Sequence, residues 1–136
     1  MHVNLIAVAV ASVAGMIVGA LWYGPLFGRA WRAAAGLGPK HQPPSPALAY
    51  GGAFVSTIVT VLVLAALSSL VGAGLNLDPM PAALLTAGAL WVGVAFARPL
   101  INLLFEAGRA RLFLINTGHD LAVLLVAAVI IGLFGN

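Results

Sequence analysis

Hydrophobic residues along this chain fall into four long blocks, and most polar residues are gathered between them. The blocks cover about residues 3–24, 47–72, 82–104 and 112–134. Each is long enough to cross a bilayer, which takes about 20 residues as a helix. The connections are unequal. Residues 25–46 form the only sizeable one, whereas 73–80 and 105–111 are short, so spans two, three and four are expected to be antiparallel neighbours. Pro79 and Pro81 stand at the entrance of the third span. No second domain and no internal repeat is visible. The pattern predicts an all-α integral membrane protein over 1–136, a single four-transmembrane-helix bundle with a short interfacial helix after helix one.

The first block reads as a retained span rather than a cleaved leader. Its start, MHVN, has no Lys or Arg. It is longer than a typical leader core of about 7–15 residues, and it ends in ALWYGP, with bulky aromatics where cleavage needs small residues.

Composition sharpens the class. Hydrophobic residues make up 62% and charged residues 7% of the chain, with a mean hydropathy of +1.12. Soluble domains carry about 25% charged residues, so this chain cannot cover a water-facing surface. The net charge of +3 is too small an excess for a nucleic-acid footprint, and no nucleic-acid partner is expected. With no cysteine, disulfides, thiolate metal sites and cysteine nucleophiles are excluded. The basic residues instead report topology. Arg29, Arg32 and Lys40 lie in the first connection, Arg109 and Arg111 in the third, while the second carries Asp78. Both basic loops are therefore expected to be cytoplasmic, with both termini outside.

The stretch WYGPLFGRAWR, residues 22–32, reads as an interfacial anchor in the lipid bilayer. Trp22 and Tyr23 are expected at headgroup level. Gly24 and Pro25 should end the first helix. A short helix would then set Leu26, Phe27, Ala30, Trp31 and Ala34 against lipid, with Arg29 and Arg32 against phosphates. Gly36, Gly38 and Pro39 should end it, before the stiff connector HQPPSP.

Small residues mark the packing faces. Ala7, Ala11, Gly15 and Gly19 recur every four residues in span one. Gly52, Ser56 and Thr60 do so in span two, and Ala89, Gly93 and Ala97 in span three. In lipid, close backbone approach through small residues replaces the hydrophobic drive. Contacts within the bundle are preferred to a homodimer seam.

Polar residues inside spans are expensive and point to function. Arg98, Asn102 and Glu106 are four apart in span three, and Asn116, His119 and Asp120 share a face of span four. Counting back from the turn between the spans puts Arg98 level with Asp120, on the order of 10 Å from the membrane surface. A pair between them is expected, because an unpaired charge there costs several kcal/mol. Pro99 should free a carbonyl near Ala95. His119 reads as a histidine hydrogen-bonded beside Asp120 rather than a metal or haem ligand; a proton relay through the two is chemically possible. Asp78, Glu106 and Asp120 are scattered, so no catalytic residue, metal site or cofactor is expected.

WYGPLFGRAW is similar to the WYSP-LFG-K/R-AW signature of small bacterial membrane proteins grouped as domain of unknown function 1761. INLLFE (residues 101–106), LFLIN-G (residues 112–118) and Trp91 also resemble that family's pattern. The resemblance covers the whole chain. It implies four transmembrane helices and no particular activity. Gly24 stands for a typical serine and His119 for a typical tyrosine, and the family does not usually carry the charges at Arg98 and Asp120. Those two read as a private compensating pair, while Asn102, Glu106 and Asn116 match the motif and are the better candidates for a shared role. Glu106 pairing with Arg109 or Arg111 is the plainer alternative.

Three classes of function follow. A structural or accessory subunit, in a homo-oligomer or a larger membrane complex, needs only packing faces and anchors and is preferred. A small oligomeric transporter or channel would use the polar cluster between spans three and four. Span one lacks the membrane glutamate that small multidrug exporters carry there. An enzyme has the least support.

Overall fold

The computed structural model describes residues 2–106 and 109–135. Helix α1 (Leu5–Leu21) starts at Asn4, whose Oδ1 accepts the free N–H groups of Ile6 and Ala7 at 3.0 and 3.1 Å. As expected, the first helix ends around the Gly24–Pro25 pair and a short helix follows. Trp22–Leu26 form a π turn, the helical path breaks at Gly24 (φ −107°, ψ −105°), and the chain re-enters helix α2 (Gly28–Ala35). Pro25 has no N–H for the carbonyl one turn back, and a widened turn absorbs that loss. The fold-back is tight: a Cβ on Gly28 would lie 2.5 Å from the Tyr23 carbonyl oxygen. Gly36, at φ 73°, closes α2 in the left-handed region that glycine favours.

Helix α3 (Pro46–Leu75) is capped by Ser45, with Pro46 in its first turn, and ends at Asn76 with φ 54°. Helix α4 (Pro79–Leu90) opens with both Pro79 and Pro81 inside its first turn, where no N–H has an intrahelical partner. The third span therefore starts earlier than the apolar pattern indicated. It continues through a π turn (Trp91–Phe96) into helix α5 (Ala97–Phe105). Pro99 would otherwise have donated to Ala95, inside that widened turn. Helix α6 (Ala110–Phe134) ends at Gly135. Within the predicted connection 105–111, residues 107 and 108 lie outside the described ones. All the regular structure described is helical, and four helical segments, Leu5–Leu26, Pro46–Leu75, Pro79–Phe105 and Ala110–Phe134, are long and apolar enough to cross a membrane.

The helices form a ring in which α1 packs on α3 and α6, and α4 packs on the same two. Both termini and the α3–α4 turn share one end, where the His2 N–H donates to Ser69 Oγ at 2.9 Å and Gly132 lies against Met80. The opposite, basic end is tied by Arg109 Nη1 donating to the Ala35 carbonyl at 3.0 Å.

The core is small-residue packing near the terminal end. Ala11, Ala65, Ala83, Ala87 and Ala128 are sealed between helices around Leu64 and Ile131. Hydroxyls in the spans bond their own helix: Ser68 donates to Leu64, Thr86 to Ala82 and Thr117 to Phe113, at 2.6–2.8 Å. Ser12 differs. It is fully buried, and its Oγ alone among the buried side-chain polar atoms described has no partner.

Toward the basic end the ring opens. Residues 46–56 of α3 are exposed without exception, and beyond its own span α5 packs chiefly on α6. The small-residue faces divide along the same line. A Cβ on Gly15 would meet Thr57 at 3.0 Å and Val123 at 3.3 Å, and one on Gly19 would meet His119 at 3.3 Å. Gly52 and Gly93 face open space, and Ser56 is exposed.

Candidate functional site

The polar residues of span four sit inside a clasp of aromatic side chains. Trp22 Nε1 donates to the Ile115 carbonyl at 2.9 Å, and Trp91 Nε1 to the Thr117 carbonyl at 2.8 Å. Residues 115 and 117 lie about 200° apart around a helix, so one indole grips α6 from the α1 side and the other from the α4 side. Tyr23 hydroxyl donates to Asn116 Oδ1 at 2.6 Å, and its ring lies 4.9 Å from the His119 ring. The clasp needs Gly118, where a Cβ would stand 3.0 Å from the Trp22 ring. Trp22 also lies tilted against Phe27 at 4.6 Å, Tyr23 meets Trp31 edge-on at 5.3 Å, and Trp91, Phe96 and Phe113 form a ladder at 5.1 and 5.2 Å.

The rings of Trp22 and Tyr23 are thus turned toward α6. An indole N–H or phenol O–H within an apolar span must find an acceptor, and α6 supplies it. Of the other anchor residues, Pro25, Phe27 and Arg29 are exposed, while Trp31 and Arg32 are half-buried.

Two grooves flank α6. A crevice of about 630 Å³ between α5 and α6 is lined by Asn102, Glu106, Arg109, Asn116 and Asp120, beside Pro99. The structure thus brings together four of the six polar residues that the sequence singles out. A second groove, of about 540 Å³, lies between α3, the Trp91–Phe96 turn and α6. Its walls are mostly apolar, with Ser56, Thr57, Thr60, His119 and Asp120 as the polar exceptions. Asp120 borders both.

The expected Arg98–Asp120 pair does not form within the chain. The Asp120 carboxylate instead lies 3.2 Å from Nδ1 of its neighbour His119, and Arg98 is exposed, with no ion pair or hydrogen bond among the described residues. Counting residues aligns the two in depth but leaves their azimuth open. Residues four apart drift by about 40°, so Arg98 stands about 80° round the helix from Glu106. Glu106 is exposed and forms no ion pair with Arg109 or Arg111 among the described residues. Sequence reasoning missed Trp91, Thr117 and Gly118 as parts of this centre. The available signal was a polar-tipped aromatic inside an apolar span, which obliges a partner.

These observations define a four-helix bundle of membrane-spanning type whose aromatic motifs close on one segment of its last helix. The chain belongs to the family described as Protein of unknown function (DUF1761), which matches residues 6–132. No curated protein and no solved structure matches it. WYGPLFGRAW and LFLIN-G, far apart in the chain, are therefore two sides of one contact.

Proposed function

We propose that this protein works as a structural or accessory part of a larger membrane assembly in the bacterial inner membrane, with its basic loops cytoplasmic. One observation carries the reading. The Asp120 side chain is 47% exposed, well inside a span, at the end of the bundle where the core has given out. In a lone bundle it would face hydrocarbon. A carboxylate at the centre of a span costs about 2.5–3.5 kcal/mol on insertion scales, and the partly exposed side chains of His119 and Asn116 add to that. A protein surface over the open end would offset this. The test is solubilisation from native membranes without overexpression, followed by sizing of the intact particle. Migration with a larger assembly supports the reading, and a lone monomer rejects it. Sidedness is tested separately by labelling a single cysteine at Lys40, in this naturally cysteine-free chain, from either face.

A second reading, a small oligomeric transporter or channel, draws support from Asp120 bordering both grooves. It predicts flux in liposomes that is lost on Asn102→Leu or Asn116→Leu while the fold survives.

A further inference from the structure

Two opposite charges inside the spans lack their obvious partner. Arg98 has no ion pair or hydrogen bond among the described residues, and Asp120 meets only the adjacent His119. Counting residues back from the short turn between α5 and α6 puts them at about the same level. Arg98 is also exposed beside a groove that Asp120 lines. Arg98 stands one helical turn beyond Val94, which walls the groove between α3 and α6, and Asp120 lines that same groove.

We infer that a second copy of this chain covers this groove, with Arg98 of each copy paired to Asp120 of the other. Symmetry favours this occupant. A two-fold axis along the membrane normal keeps every residue at its own depth, so two charges at one depth beside one groove meet their opposites in the partner. An isologous contact forms the pair twice. Charge complementarity fixes the register, and the guanidinium fork matches a carboxylate in two-bond geometry. Each arginine would otherwise bend its side chain toward the headgroups, and each carboxylate would stay half-exposed. The inference rests on the reading that protein covers the open end, and it names that protein.

The test uses the full chain in nanodiscs. Arg98→Asp and Asp120→Arg, each alone, should weaken dimerisation about a hundredfold, and the double exchange should restore it to within about tenfold of the parent. Because a charge reversal can also spoil folding, a second measurement is made on differently tagged chains. One carries Arg98→Cys and the other Asp120→Cys, and a short bis-maleimide is applied in intact membranes. A cross-link joining the two tags supports the pairing. If no such link forms, or if dimers are indifferent to both reversals, the pairing is wrong. A different protein found over Asp120 overturns the second-copy inference but leaves the assembly reading standing. A monomer in native membranes removes both.

Discussion

Gly118 sits beneath the indole of Trp22, and the two positions should be energetically locked. A Cβ placed on Gly118 would lie 3.0 Å from Cζ2 and 3.5 Å from Cη2 of the ring. Carbon atoms prefer separations of about 3.5–4.0 Å, so Gly118→Ala must push the indole away by roughly half an ångström. That movement works against the 2.9 Å bond from Nε1 to the Ile115 carbonyl. Overpacking of this kind costs about 1–3 kcal/mol. Replacing a mid-helix glycine by alanine returns about 0.5–1 kcal/mol. The net expectation is a loss of about 1 kcal/mol. Trp22→Phe removes both contacting atoms along with the donor, which itself costs about 1 kcal/mol for the hydrogen bond. In that background the new methyl meets nothing, so Gly118→Ala should become stabilising by about 0.5–1 kcal/mol. The reversal of sign is the prediction. It is read from four proteins unfolded reversibly in mixed micelles by denaturing detergent. If Gly118→Ala shifts stability equally in both backgrounds, within about 0.5 kcal/mol, the ring does not rest on Gly118 and the clasp is misdrawn.

Three further outcomes are expected. Tyr23→Phe should cost about 0.6–1.5 kcal/mol through the lost bond to Asn116, and a double-mutant cycle with Asn116→Leu should recover most of it as coupling. Ser12→Ala should leave stability unchanged or raise it by about 1–3 kcal/mol in the same assay, because it deletes a buried hydroxyl with no partner; a clear loss would mean that the hydroxyl is satisfied. Gly28→Ala, whose Cβ would lie 2.5 Å from a backbone oxygen, should detach α2 from Tyr23, seen as increased protease cleavage near residue 35 with the spans intact.

The spans were legible because hydrophobic length is a one-dimensional property: 47–72 lies within α3, and 112–134 within α6. The third span's start was not, since Pro79 and Pro81 read as boundary residues although the first turn tolerates them. The polar cluster was legible as a set, because Asn102, Glu106, Asn116 and Asp120 do line one crevice. The pairing inside it was not. Spacing fixes depth well but azimuth poorly, and a few tens of degrees on α5 turned Arg98 away. Trp22 and Tyr23 were read by composition as interface residues, and only the packed structure gives their N–H and O–H an acceptor on α6.

The bonds from Trp22 and Tyr23 to α6 join residues 93 positions apart. A chain threaded into the bilayer from its N-terminus therefore releases its first aromatic pair long before the acceptors exist. During synthesis the rings of Trp22 and Tyr23 have no α6 to hold, and the growing chain stays unlatched until the final helix leaves the insertion machinery. Closure of this latch is then a completion check: a product cut short after its third helix would be inserted but unfastened, and open to membrane proteases.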